Sequence, residues 1–508
     1  MLSVIRKFNW IPIFIILVLS ATLLFNNLNK PFIGHEDDNA SLWGDITRRY
    51  LSLYPITRQD FDIGVRTFKI QDFFYSHYTP FLPILLSFFP AIFGLSEFTL
   101  RLTPLFFSVL LILFIYKLSA LVFNKHTAIL ASIFTVITPM FLYFGKLPDH
   151  EPIVISLIVI TLYFYLKSKK NFDRNYNLFL VFLTLSLFES WSAFFIILPL
   201  SAFSFLIQKK TSRQALIPLV PAVIVIVFHL SIIFLINGIE GIKTFFSMGI
   251  SRSQTENFYW GKEKVNAIIL LITEIRYVVI YFTRPLIALS TIWLITTIFQ
   301  IFRRVNVSKE KLFLLILFIY PLLFILTFRQ LAFLHDYKLY HLLPFISISS
   351  AYTTYLFINT LASRLNISKL SINFLLICLI ISLSITYFTF TERLDYLNTL
   401  LRSTHYQAGY LIGKYINSEV KPNQEAIVIN SGLELKEYFE GKVYFYANRK
   451  IDFKNISLEQ FLNNKNGASS YKLLIAGLDR NTDSNFLKYL SKNYTYKVIE
   501  GLFFYKLN

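Results

Sequence analysis

Eleven apolar runs, each near the length of a membrane-crossing helix, partition most of the chain. A span takes about 20 apolar residues at ~1.5 Å rise each. The runs lie near 10–28, 99–123, 127–145, 150–167, 177–190, 191–207, 215–236, 284–302, 311–328, 339–360 and 371–389. Of 508 residues, 55% are hydrophobic and only 16% charged, against roughly 25% charged in soluble globular chains. The wealth of Phe, Tyr, Ile and Leu excludes a disordered chain. Cys378, the one cysteine, excludes an intrachain disulfide and a cysteine metal site. The net charge of +19 would suit nucleic acid on a soluble domain, but the basic residues sit mostly in short loops between apolar runs, as cytoplasmic loops do. Nucleic acid is therefore set aside as a partner.

With Arg6 and Lys7 on the cytoplasmic side, the loops 124–126, 167–174, 208–213, 303–311 and 364–369 fall on that side and nearly all carry Lys or Arg. The opposite side receives 29–98, 145–149, 237–283, 329–338 and the chain from about 390, with many of the acids. The first run has no small-residue cleavage site and reads as an anchor. The short runs flanking Glu189-Ser190-Trp191 form either two spans or one bent segment; two preserve the alternation. Phe81 to Phe93, at the end of the first outer loop, is too short for a comfortable span and reads as an interfacial or re-entrant helix. Residues 237–283 read as a loop with an interfacial helix. Beyond about 405, Ala426 to Asn430, Lys442 to Tyr446, Lys472 to Ala476 and Tyr496 to Tyr505 alternate as strands. The expected fold is a polytopic α-helical membrane protein of about 11 spans, with interfacial helices in the first outer loop. Its domains are a transmembrane domain over 1–400, including the loop 29–98, and an extracytoplasmic soluble α/β domain over 405–508. The expected location is the plasma membrane.

Four segments carry chemistry. His35-Glu36-Asp37-Asp38-Asn39 places three carboxylates just after the first span. Such a run suits a solvated loop, and it equally suits a general base, because partial burial raises a carboxyl pKa. Phe73 to Pro80, containing His77 and Tyr78, precedes Phe93-Gly94-Leu95-Ser96-Glu97-Phe98-Thr99-Leu100-Arg101-Leu102. Arg101 either snorkels to the interface or faces an anion. Gly145-Lys146-Leu147-Pro148-Asp149-His150-Glu151-Pro152 is a very short outer loop, ordinary as turn chemistry, that brings Asp149 and Glu151 to the side of Asp37. His335-Asp336-Tyr337-Lys338-Leu339-Tyr340-His341 clusters cations, a carboxylate and tyrosines, either as an aromatic belt or as a phosphate site. A divalent cation is a further candidate ligand of His35, Glu36, His77 and His335, although none stands at a recognised metal spacing.

Taken in order, these segments resemble the GT-C superfamily of membrane glycosyltransferases. Within it they resemble the branch of protein O-mannosyltransferases and the lipid A aminoarabinose transferase. The resemblance rests on His35, Asp37 and Asn39 with Ile46, Arg48 and Tyr50 beyond them, on Phe-Gly-x-x-Glu-Phe-x-x-Arg-Leu at 93–102, and on Pro148-Asp149. It implies a polyprenyl-phosphate-sugar donor reached from the outer leaflet and transfer with inversion to a protein, lipid or glycan acceptor. It implies Asp37 as the base, with Asp38 in reserve, and Asp149 as a second acid. Arg101, Lys146 and Lys338 would stabilise the departing phosphate, with His335 and Tyr340 beside them. His35, Asn39, His77, Tyr78, Glu151, Asp336 and Tyr337 would line the donor or acceptor cavity. Asp38 stands where the branch often has an aromatic residue, and the residues after Asn39 lack the Glu-rich pattern of the aminoarabinose transferase. The resemblance thus transfers neither the acceptor nor a metal requirement.

Two other classes fit parts of the sequence. A transporter or flippase of a lipid-linked or anionic substrate suits many spans with charges, but no internal repeat is visible and the charges gather at one face. An assembly protein would use the C-terminal domain to recruit a partner. The ordered motif set favours the enzyme.

Overall fold

The computed structural model describes residues 10–52, 77–168, 173–254, 259–260, 263–264, 266–303, 305, 307–365, 407–422, 424–429, 441–454, 471–477, 484–499 and 501–507. The expected run at 371–389 and the motif residues Phe73 to Ser76 lie outside them. The described residues fall into two compact units. The first lies within Met1–Leu28, Phe74–Leu82 and Arg101–Asn398, and the second within Asn29–Phe73, Pro83–Leu100 and Thr399–Asn508. Most of the loop 29–98 falls in the same unit as the C-terminal residues.

The first unit is helical. Among the described residues, five helices are long and apolar enough to cross a membrane: Glu97–Val122, His150–Lys167, Leu219–Ser253, Arg284–Phe302 and Lys309–Thr327. Trp10–Phe25 is a shorter apolar helix of 16 residues. Leu198, Leu235 and Phe302 are exposed, the inverse of a water-facing surface, where large apolar side chains occur singly. His150–Lys167 packs along Arg174–Glu189, and Leu343–Leu365 lies against Lys125–Val136 and Arg284–Phe302.

Local chemistry explains where the chain departs from the expected runs. The run at 127–145 is two helices, Lys125–Val136 and Pro139–Phe144. Thr138 caps the second, its hydroxyl accepting the Phe141 N–H at 3.3 Å, and Pro139 stands at the first helical position, where its missing N–H costs nothing. At Ser190 the backbone is extended (φ −154°, ψ 146°), separating Arg174–Glu189 from the segment Trp191–Ile207. The run expected to end at 236 continues as far as Ser253, but Gly238 breaks the helical geometry with φ +62° and ψ −156°, a conformation open to glycine alone.

The second unit contains a five-stranded sheet in the order Lys450–Lys454, Glu425–Ile429, Tyr471–Gly477, Leu502–Lys506, Tyr496–Ile499. The first three strands are parallel and the last two pairings antiparallel. Alternation divides the side chains. Ala426, Val428, Leu473 and Ile475 meet Ile412 and Ile416 of the helix Gln407–Glu419 on one face. Ile427, Ile429, Leu474 and Ala476 meet Phe486 and Leu490 of Ser484–Asn493 on the other. The expected strand at Lys442 to Tyr446 is instead a helix, Lys442–Ala447. Its alternating apolar residues are buried by packing against Gln407–Glu419, and periodicity does not separate helix from strand in so short a run. The expected strand at Tyr496 to Tyr505 is a hairpin turning at Gly501, where φ is +80°.

The helix Asp37–Leu51 belongs to the second unit and packs on Lys442–Ala447. Gly44 makes this approach possible: a Cβ there would stand 2.7 Å from the Phe445 ring.

Candidate functional site

In the first unit, five ionisable residues gather where His150–Lys167 begins. Asp149 stands at the N-cap of that helix, its Oδ1 accepting the His150 N–H at 2.7 Å, where the helix dipole favours a carboxylate. One residue on, the His150 Nδ1 lies 3.1 Å from Glu189 Oε1. Glu189 is the last residue of its helix, delivered to this place by the break at Ser190. Glu151 pairs with Lys338, both almost fully buried. Lys338 also stands 4.4 Å from the centroid of the Tyr337 ring. Asp149 Oδ2, Glu151 Oε2 and Glu189 Oε2 are buried without a hydrogen-bond partner among the described residues. Buried charge is expensive and persists where it is paired or used.

The segment after residue 76 is stitched to the same corner. The Trp191 indole donates to the His77 carbonyl at 2.7 Å, and the Thr79 hydroxyl donates to the Phe188 carbonyl. Tyr78 is held between these anchors, its ring stacked on His150 at 4.1 Å. The Tyr281 hydroxyl donates to Asp336, and Tyr337 and Phe144 make a ring contact. Tyr340 is fully buried nearby in sequence. Burial, reinforced by the Lys338 ammonium, pushes the His335 imidazole down to about 4, so it is neutral at pH 7. Burial alone would also lower Lys338, but Glu151, Tyr78 and Asp149 together outweigh it and hold the ammonium above its ordinary pKa.

Two expected phosphate ligands have other partners here. Arg101 donates to the Leu28 carbonyl at 2.8 Å, and Lys146 donates to the Asn26 carbonyl. Both carbonyls lie just past the Trp10–Phe25 helix, whose C-terminal end favours a cation.

In the second unit, Glu36 is left-handed (φ +61°) and starts the turn into Asp37–Leu51. The Gly34 N–H donates to Asp37 Oδ2 at 2.7 Å, and the Asn39 amide donates to Glu36 at 3.0 Å. Asp38 is ion-paired to Lys442 at 2.6 Å. Arg48 is bound to Asp45 at 3.2 Å and donates to the Phe445 carbonyl at 2.7 Å.

The structure thus brings Tyr78, Asp149, Glu151 and Lys338 together around His150. Asp37, Asp38, His35 and Asn39 belong to the other unit. The four candidate cation ligands divide likewise, His77 and His335 in the first unit and His35 and Glu36 in the second. Sequence reasoning passed over Glu189, although a carboxylate inside an apolar run is itself a flag. It also passed over Glu274 on the helix Ala267–Tyr281, whose carboxyl is pushed up to about 8 by burial and by Asp336. Lys442, read as part of a strand, carried no sequence signal.

The family described as dolichyl-phosphate-mannose-protein mannosyltransferase matches residues 77–236. No curated protein matches the chain. Among solved structures, the chain is similar to ArnT from Cupriavidus metallidurans bound to undecaprenyl phosphate, at 12% identity and TM-score 0.62, covering 98% of each chain. The apo form of that protein gives 11% identity, TM-score 0.61 and 97% coverage of each. The archaeal oligosaccharyltransferase AglB from Archaeoglobus fulgidus, in complex with an inhibitory peptide and a dolichol-phosphate, gives 15% identity and TM-score 0.54 over 98% of this chain and 74% of that one. Likenesses at this identity speak to the fold.

Proposed function

We propose that the chain is a membrane glycosyltransferase of the GT-C superfamily, which transfers a sugar from a polyprenyl-phosphate-linked donor to a nucleophilic acceptor at the outer face of the membrane. The solved neighbours with bound undecaprenyl phosphate and dolichol-phosphate support that donor class. The observation that carries the reading is the buried set Asp149, His150, Glu151, Glu189 and Lys338 at the head of one apolar helix. A charge cluster so costly to bury is retained for chemistry on a charged, membrane-bound substrate.

In this reaction the acceptor oxygen or nitrogen attacks the anomeric carbon, and the bond from that carbon to the phosphate oxygen breaks. The polyprenyl phosphate leaves as an anion and the acceptor proton passes to a carboxylate. Attack opposite to the leaving group inverts the carbon. Asp37 is the proposed base. Asp38 is the weaker choice, because its carboxylate is engaged by Lys442. Asp149 is the proposed second acid. The proposed cations are Arg101, Lys146 and Lys338, which lower the barrier where phosphate charge develops. A guanidinium has five N–H donors, so Arg101 can serve the Leu28 carbonyl and a phosphate together. Neutral His335 would donate a hydrogen bond, and Tyr340 another. His77 and Tyr78 would line the donor side, with Tyr78 fixed by its stack on His150.

The test is Asp37→Asn, checked for membrane insertion and a monodisperse folded state. Turnover is expected to fall about 10²–10⁴-fold, the usual worth of a general base. Mass spectrometry of lipids copurified with this variant is expected to show a polyprenyl-phosphate sugar. Retained turnover would reject Asp37. Ordinary phospholipid alone, with uptake of substrate into vesicles and no covalent product, would support transport instead.

A further inference from the structure

We propose that Lys442 is a positioning residue for the carboxylates of Asp37 and Asp38, so that the C-terminal α/β layers complete the reaction centre. This rests on the glycosyltransferase reading above, and it gives the C-terminal residues a task that acceptor recruitment does not include.

All of the groups involved belong to the second unit. Lys442 is only 3% exposed, yet its ammonium lies 2.6 Å from Asp38 Oδ1, whose own side chain is 54% exposed. The lysine is therefore the buried, fixed partner and the aspartate the one being held. Its stem is confined as well: a Cβ on Gly409 would meet the Lys442 Cβ, Cγ and Cδ at 3.2 Å. Burial lowers the ammonium pKa and Asp38 opposes it, with a smaller contribution from Asp37.

The short helix that carries Lys442 is itself gripped on both sides of the acidic motif. Before the motif, the Phe32 N–H donates to the Tyr446 hydroxyl at 2.7 Å, and that hydroxyl donates to Glu97 at 2.9 Å. After it, Arg48 donates to the Phe445 carbonyl and, at 3.3 Å, to the Tyr444 carbonyl, capping the end of the helix. Gly441, at φ +69°, lies so close to Leu42 that a Cβ would stand 3.1 Å from it. The stretch from Phe32 to Arg48 is thus fastened at both ends and once in the middle, by Lys442 on Asp38. Adjacent carboxylates at a helix start repel each other, and one buried cation beside them offsets that repulsion and sets their direction. A base displaced by about 1 Å loses on the order of 10²-fold in rate.

The experiment uses the full-length protein in detergent, with the polyprenyl-phosphate sugar that copurifies with Asp37→Asn as donor, host membrane extract as acceptor and release of polyprenyl phosphate as the signal. Wild-type protein is measured first; no release would reject the glycosyltransferase reading itself. Given release, Lys442→Met is expected to lower kcat about 10–100-fold with the donor KM unchanged within about two-fold. Lys442→Arg, which restores the charge, is expected to recover most of the loss. Asp38→Ala removes the same contact from its exposed side and remains informative if Lys442→Met does not fold. It is expected to lose kcat to the same degree, and the double variant no further. Wild-type kcat in Lys442→Met or Asp38→Ala would overturn the proposal. So would a change confined to KM, or failure of Lys442→Arg to rescue.

Discussion

The Lys338–Glu151 pair shows how a single contact constrains this molecule. Both groups are almost fully buried, and removing one partner of such a pair strands the other charge. Lys338→Met is expected to destabilise the protein by about 3–5 kcal/mol, read as a lower thermal midpoint in detergent. Glu151→Gln combined with Lys338→Met is expected to recover much of that loss, because no charge remains unpaired. His335 makes a separate prediction about pH. Its imidazole stays neutral down to about 4 when folded, whereas the unfolded side chain takes a proton near its ordinary value of about 6.5. Between these values the unfolded chain binds more protons, so stability falls as the pH drops through that window and is unaffected above it. Thermal unfolding of His335→Gln is expected to be less sensitive than wild type between pH 7 and pH 5.

Among the elements, the close contact of Asp37–Leu51 with Lys442–Ala447 depends on a missing side chain. Gly44→Ala would drive a methyl into the Phe445 ring and is expected to cost about 1–3 kcal/mol. Faster hydrogen exchange over Lys442–Ala447 would register it. Much of the helical framework was legible in the sequence, because long apolar runs speak through length alone. Their interruptions were less so. Gly238 marks the end of the run at 236, but the chain resumes its helix beyond it. Thr138-Pro139 splits a run that hydropathy reads as continuous. Lys442–Ala447 was misread because its burial comes from a partner helix rather than from its own period. For the same reason the Asp38–Lys442 pair was invisible: no local pattern announces a contact made about four hundred positions away. Glu189 was legible in principle, but its value depends on the break that turns it towards His150.

For the whole molecule, the apolar exposure of the first unit predicts that the chain remains in the membrane pellet after alkaline carbonate extraction. Release into the supernatant would count against crossing helices. The second unit is assembled from distant stretches of chain, since Arg48 bonds a carbonyl 396 residues further on and Phe32 a hydroxyl 414 further on. This separation has a consequence in time. At roughly 5–20 residues per second, the helix after Asp37 leaves the ribosome about 20–80 s before the segment that clasps it is made. Through that interval Asp38 waits in water with no lysine to meet it. A nascent chain arrested before residue 442 therefore carries the acidic motif but never acquires its clamp. Synthesis itself becomes the order in which the centre is armed, the acid first and its restraint last.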